Sequence, residues 1–101
     1  MKKILLCCAA GMSTSMLVQR MRAEVTKRGL DIEIKAVPTA ELKHLIADTD
    51  VVLLGPQVRY QLTHFSAIAK PLGKPIDVID MMDYGALRGD KVLDKALSLL
   101  E

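Results

Sequence analysis

Apolar positions along the chain alternate between short continuous runs and runs spaced three or four residues apart. Ile4–Cys7 is continuous and brief, which predicts a strand buried on both faces. Leu17, Met21 and Val25 recur at helical spacing, and Lys27, Arg28 and Gly29 supply a basic last turn and a terminating glycine, so a helix is expected from Thr14 to Arg28. Ile32–Val37 alternates as a second strand, Thr39 is placed to cap a short helix running to Ile46, and Val51–Leu54 reads as a third, fully buried strand. The breakers in GPQVRY, residues 55–60, predict a loop. Val58, Leu62, Phe65 and Ala69 then fall at helical spacing, Ile76–Ile79 is a fourth strand, and Val92, Leu93, Ala96, Leu97 and Leu100 form the inner face of a C-terminal helix.

Strand and helix alternate throughout. That order calls for an α/β fold in which a parallel sheet is covered by helices on both faces, and right-handed crossovers make 2-1-3-4 the simplest strand order, a flavodoxin-like or phosphatase-like open sheet. A chain of 101 residues, half of them apolar and without internal repeats or linkers, is expected to form one domain over residues 1–101. Fourteen basic against twelve acidic residues give a net charge of +2 with no basic block, which argues against nucleic acid as a partner. The apolar run Ile4–Ala10 is far too short to span a bilayer, and no cleavage-like segment follows Lys2 and Lys3, so a cytoplasmic protein without direct membrane insertion is expected, monomeric when isolated.

The two cysteines of the chain are adjacent, Cys7 closing the first strand and Cys8 opening the loop after it. They lack the C-x-x-C spacing of metal and redox sites, so neither a metal nor a cofactor is expected, and adjacent residues bridge only through a strained ring, so they read as reduced thiols. A sheet of this order places its site beyond the carboxyl ends of strands one and three, where the connections diverge, and those connections are the segment after the cysteines and GPQVRY. A short loop entering a helix presents unpaired backbone N–H groups and the positive end of the helix dipole, which suits Ala9, Ala10, Gly11, Met12, Ser13, Thr14 and Ser15 to hold a tetrahedral dianion. Gly11 permits a tight turn, Ala9 and Ala10 keep side chains clear, and Ser13, Thr14 and Ser15 can cap the helix or donate to phosphate oxygens. The same field stabilises a thiolate. Cys7 continues the buried strand as a small hydrophobe while Cys8 begins the loop, so Cys8 is the expected nucleophile.

Cysteine phosphatases carry an arginine six residues after the nucleophile. Thr14 stands there counting from Cys8, and Ser13 counting from Cys7. Neutral donors and a helix end can hold a phosphorylated thiol without a fixed cationic clamp, which suits a group that is to be passed on and not hydrolysed.

CAAGMSTS, Cys8 to Ser15, resembles the C-x-A-G-M-S-T-S active loop of the IIB component of the sugar phosphotransferase system, lactose/cellobiose (chitobiose) family. The resemblance extends through DVVLLGPQVRYQL at 50–62, KPIDVID at 74–80 and YG at 84–85, and it covers essentially the whole chain. It implies a phosphotransferase in which one cysteine, here Cys8, takes phosphate from a phosphohistidine of the IIA component and passes it to a β-linked disaccharide-type sugar held by the membrane IIC component, with which the protein associates transiently. Two positions depart from the pattern. Cys7 is an extra thiol, and Ala9 stands where serine is common.

Gln57 and Tyr60, in the loop expected to face the cysteine, are candidates for the pocket or the partner surface, and Asp80 and Tyr84 for its rim. Met12 is a soft, adaptable contact for changing partners. Arg59 and Asp83 read as solvated charges, and His44 and His64 as surface or half-packed histidines and not phosphate acceptors. Two other classes stay open: a low-molecular-weight phosphatase-like hydrolase, which the missing arginine and missing aspartate acid disfavour, and a thiol redox protein using Cys7 and Cys8 as a vicinal pair, which ring strain disfavours.

Overall fold

Four parallel strands form one sheet in the order β2-β1-β3-β4: β1 (Lys2–Cys8), β2 (Ile32–Pro38), β3 (Val51–Leu54) and β4 (Ile76–Val78). The computed structural model describes residues 1–8 and 11–100, without the side chains of residues 11–13. In β1, the pairing with β2 runs from Lys2↔Ile32 to Cys8↔Pro38, and the pairing with β3 from Ile4↔Val51 to Cys7↔Leu54. The order is the one expected from alternating strands and helices with right-handed crossovers.

Helices α1 (Gly11–Arg28), α2 (Thr39–Leu45), α3 (Leu62–Ala69), α4 (Met81–Gly85) and α5 (Gly89–Leu100) complete the fold. The pleat sends neighbouring side chains to opposite faces, so β1 feeds two separate cores. Ile4 and Leu6 pack with Leu17 and Met21 of α1 and Val92, Leu93 and Ala96 of α5. Leu5 and Cys7 pack with Leu42 of α2, Val58, and Phe65 and Ala69 of α3. At the start of α5 the approach to α1 is so close that a Cβ on Gly89 would fall 2.6 Å from the Arg20 carbonyl carbon, which reserves the position for glycine.

Several boundaries differ from the sequence expectation, each for a local reason. Strand β1 keeps Cys8 as its last residue, paired with Pro38, so Cys8 is not the first residue of a loop. Helix α1 starts at Gly11, three residues before Thr14, which places Thr14 inside the helix and not at its cap. Thr39 is likewise the first helical residue of α2, with Pro38 in the capping position and no side-chain cap bond. The segment expected as a loop is a 3₁₀ turn, Pro56–Gln61, kinked at Val58; Pro56 fits its first turn because a missing N–H costs nothing there. Ile79 lies just past β4, although its N–H still donates to Leu54 O at 2.8 Å. Five residues are too few for a helical period to show, and α4 was not expected. Asp80 caps it by accepting from Met82 N at 3.1 Å.

Candidate functional site

The carboxyl ends of β1 and β3 bring the cysteines beside the 3₁₀ turn that follows β3. Gly55 N donates to Cys7 O at 2.7 Å, continuing the β1–β3 ladder past its last strand residue. A Cβ on Gly55 would stand 3.3 Å from Cys8 Cβ and 2.8 Å from Gln57 Oε1, so this glycine lets the turn close over the end of β1. Its backbone is ordinary, with φ of −62°, and space alone is the constraint.

Both thiols are buried, Cys7 at 0% and Cys8 at 2% exposure, and neither is in a disulfide. Their surroundings are otherwise unlike. Cys7 lies in the apolar core on the α2–α3 face, where burial first, and then the charge on neighbouring Cys8, push its thiol from 9.0 up to about 12. At neutral pH it is a protonated, inert thiol. Cys8 stands on the α1–α5 face, where Thr14 Oγ1 donates a hydrogen bond to its Sγ at 2.7 Å. Thr14 Oγ1 is also hydrogen-bonded to the Tyr84 hydroxyl at 3.1 Å. Thr14 and Tyr84 are themselves buried, at 1% and 8% exposure, so the three side chains form a polar thread through an apolar layer.

The opposite orientation of the two sulfurs weakens the redox reading. A bond between them would require the end of β1 to lose its pleat while both flanking strands hold it. Thr14, at the position a cysteine phosphatase fills with arginine, is enclosed and occupied by its two hydrogen bonds.

Gln57, Tyr60 and Tyr84, three of the residues singled out from sequence, line one groove of about 620 Å³ together with Pro56, Arg59 and Met81. Tyr60 and Met81 are 74% and 60% exposed, and Gln57 and Arg59 are exposed as well. Tyr84 thus forms the buried wall between this groove and Thr14. Ser15 is exposed on α1. Ala9 and Ala10 lie outside the described residues, as do the side-chain roles expected of Gly11, Met12 and Ser13. His44 and His64 are exposed on α2 and α3, with the His64 ring edge-on to Phe65 at 5.0 Å. Among the described residues no three His, Cys, Asp or Glu side chains gather where a metal ion could be held. Among them, too, no helix is long and apolar enough to cross a membrane.

Sequence reasoning missed Gly55 as a neighbour of the thiol and missed the link between Thr14 and Tyr84. A glycine directly after a buried strand was a usable signal for the first. The second joins residues 70 positions apart and left no local trace.

Comparison with known proteins bears on the whole chain. Residues 3–95 match the family described as PTS system, Lactose/Cellobiose specific IIB subunit. The chain is 47% identical over 104 aligned positions to the galactose-specific EIIB component of Lactococcus lactis subsp. cremoris, covering 98% of this chain and 96% of that protein. It is 41% identical to the oligo-beta-mannoside-specific EIIB component of Bacillus subtilis, covering 99% and 97%. Among solved structures, the cellobiose-specific IIB component of Borrelia burgdorferi superposes with a TM-score of 0.82 at 41% identity, covering 98% of this chain and 91% of that one. The lactose-specific IIB domain of Streptococcus pneumoniae gives a TM-score of 0.90 at 20% identity over 99% and 98% of the two chains, a likeness of fold. The chain belongs to the lactose/cellobiose-specific IIB family of the sugar phosphotransferase system.

Proposed function

We propose that this IIB component relays a phosphoryl group through Cys8, taking it from a phosphohistidine of the IIA component and giving it to a sugar bound by the membrane IIC component. In the first step the Cys8 thiolate attacks phosphorus, the S–P bond forms, and the P–N electron pair returns to the donor imidazole. In the second a sugar hydroxyl attacks phosphorus, the S–P pair returns to Cys8 Sγ, and the hydroxyl proton passes to a base of the IIC component. Sugars of the lactose and cellobiose type, β-linked disaccharides, are the acceptors the family description suggests. The whole of residues 1–101 acts as one IIB domain in this reading, docking transiently on its membrane partner.

The observation that carries the assignment is the Thr14 Oγ1 donor 2.7 Å from Cys8 Sγ, at the end of β1 and just before the N-terminus of the 18-residue helix α1. A donated hydrogen bond and a helix N-terminus both favour negative charge on sulfur, which is needed in the nucleophile and again in the leaving group. Residues 9–15 supply the phosphate-holding segment, with Ala9, Ala10, Gly11, Met12 and Ser13 contributing backbone donors, and Gln57 and Tyr60 face the docked partner from the groove whose buried wall is Tyr84. A hydrolase reading lacks support: an enclosed threonine, already hydrogen-bonded to the thiol, stands where a cysteine phosphatase carries its arginine clamp.

The test is to supply phosphorylated IIA protein and locate the phosphate by mass spectrometry. Phosphate on Cys8 is expected. Phosphate on His44, His64 or Cys7 refutes the assignment, and rapid release of inorganic phosphate without a IIC acceptor refutes the relay.

A further inference from the structure

The thread from Tyr84 through Thr14 to Cys8 has a direction. A threonine hydroxyl carries one proton, and at 2.7 Å from Sγ that proton points at the sulfur. Thr14 Oγ1 can then only accept from the Tyr84 hydroxyl at 3.1 Å, so the phenol donates to threonine and threonine donates to sulfur. Without the phenol, the threonine rotor is free to turn its proton elsewhere, for instance toward an incoming water or a partner atom. With it, the lone pairs of Oγ1 are engaged and the proton is held on the sulfur side. Hydrogen bonds in series also polarise one another, most strongly where water is excluded, and both hydroxyl residues are buried.

The architecture around Tyr84 serves this placement. Asp80 Oδ1 accepts from Met82 N, and Tyr84 N donates to Asp80 O at 2.9 Å, so the single-turn helix α4 is fixed at its start and delivers the phenol inward. The ring packs in the α1–α5 core, which phenylalanine would fill equally well; only the hydroxyl makes the link.

We propose that Tyr84 is a positioning residue which, by orienting the Thr14 hydroxyl, stabilises the Cys8 sulfur as the leaving group when the phosphoryl group moves on. The inference rests on the relay reading above. In that step the acceptor oxygen bonds to phosphorus, the S–P pair settles on Sγ, and the Thr14 proton stays on Oγ1, strengthening its hydrogen bond as charge develops on sulfur. No proton is transferred along the thread. An interaction that strengthens as the S–P bond breaks lowers the barrier and does not merely improve docking.

The experiment uses full-length protein phosphorylated by IIA, mixed in single-turnover mode with IIC membranes and sugar, for wild type, Tyr84→Phe, Thr14→Val and Thr14→Ser. Tyr84→Phe is expected to lower the maximal rate of onward transfer about 2- to 10-fold, the range of one neutral hydrogen bond. The IIC concentration giving half-maximal rate should not change, because the ring that lines the groove is kept. Thr14→Val should lose more, about 10- to 100-fold, as befits a bond to a charged atom, and Thr14→Ser should restore most of that loss. A Tyr84→Phe rate equal to wild type overturns the proposal, as does a loss confined to half-saturation, or a Thr14→Ser variant no better than Thr14→Val. Should Tyr84→Phe fold poorly, the Thr14 pair reads the same thread from its other link, and a Thr14→Val variant with wild-type transfer overturns it. Wild-type phosphate found anywhere but on Cys8 defeats the relay reading and this inference together, whereas phosphate on Cys8 with unaltered transfer in the variants defeats this inference alone.

Discussion

Cys7 and Cys8 are consecutive, equally buried and chemically identical, yet they stand in different halves of the molecule. The pleat of β1 turns Cys7 into the aliphatic core beneath α2 and α3, and Cys8 toward Thr14 and Tyr84 beneath α1 and α5. One face surrounds its sulfur with an aliphatic cluster; the other offers a donated proton. Burial by itself therefore does not tell the two thiols apart. The difference lies in whether the enclosed sulfur receives a hydrogen bond, as Cys8 does from Thr14, or only desolvation, which keeps the Cys7 thiol protonated.

The strongest way to break this comparison is to exchange the roles of the two sulfurs. Cys8→Ser is expected to lower phosphate acceptance from IIA at least about a thousandfold while far-UV circular dichroism stays native, whereas Cys7→Ser keeps acceptance near the wild-type rate. The reverse pattern would place the reactive thiol on the wrong face. The cost of Cys7→Ser should appear in stability instead: a hydroxyl set among Leu5, Leu54 and Val58 costs about 1–3 kcal/mol, measured by urea unfolding.

Alkaline pH sharpens the same contrast. Because the Cys7 thiol is held at about 12 in the folded protein against 9.0 as its ordinary value, the unfolded chain loses this proton first as pH rises. The stability that Cys7 contributes is fully present below about 9 and is lost as pH climbs through that window toward about 12. A Cys7→Val variant, close in volume, should therefore lose less stability than wild type on going from pH 9 toward 12, read from paired urea titrations. Parallel curves would mean that Cys7 is not held protonated by its burial.

Smaller effects are expected at the edges of the Cys8 side. Asp80→Ala removes the cap of α4 and should cost about 1 kcal/mol while slowing onward transfer, because the helix that delivers Tyr84 loosens. If transfer is untouched after the cap is lost, the position of α4 does not matter to the thiol. Gly55→Ala brings a methyl to 3.3 Å from Cys8 Cβ and displaces the flexible Gln57 amide. A stability change at or below about 1 kcal/mol is expected, with a measurable drop in transfer, since crowding of the reacting atom costs more than crowding of the fold.

The strands could be read from the sequence because each is a short apolar run between breakers, and their order followed from handedness once strands and helices were seen to alternate. The long helices were equally legible, but their starts were not. Thr14 carries the residue type of a cap and yet lies three residues inside α1, because several hydroxyl residues in a row fit a cap equally well and propensity does not choose among them. The 3₁₀ turn at Pro56–Gln61 and the single turn of α4 escaped detection because neither is long enough to complete an amphipathic period.

Fold class, strand order, and the meeting of the cysteine segment with the residues after β3 beyond the carboxyl ends of the strands were determined by the sequence alone, because they depend on local patterning and on chirality that every chain shares. The sequence also carried the family's motif. The environment of each sulfur depended on tertiary structure. Parity along β1 separates Cys7 from Cys8, but only the packing of α1, α4 and α5 against that face decides that one finds Thr14 and Tyr84 there. A hydrogen bond between residues 14 and 84 is made by the meeting of two elements from opposite ends of the chain, and no property of either segment by itself specifies it.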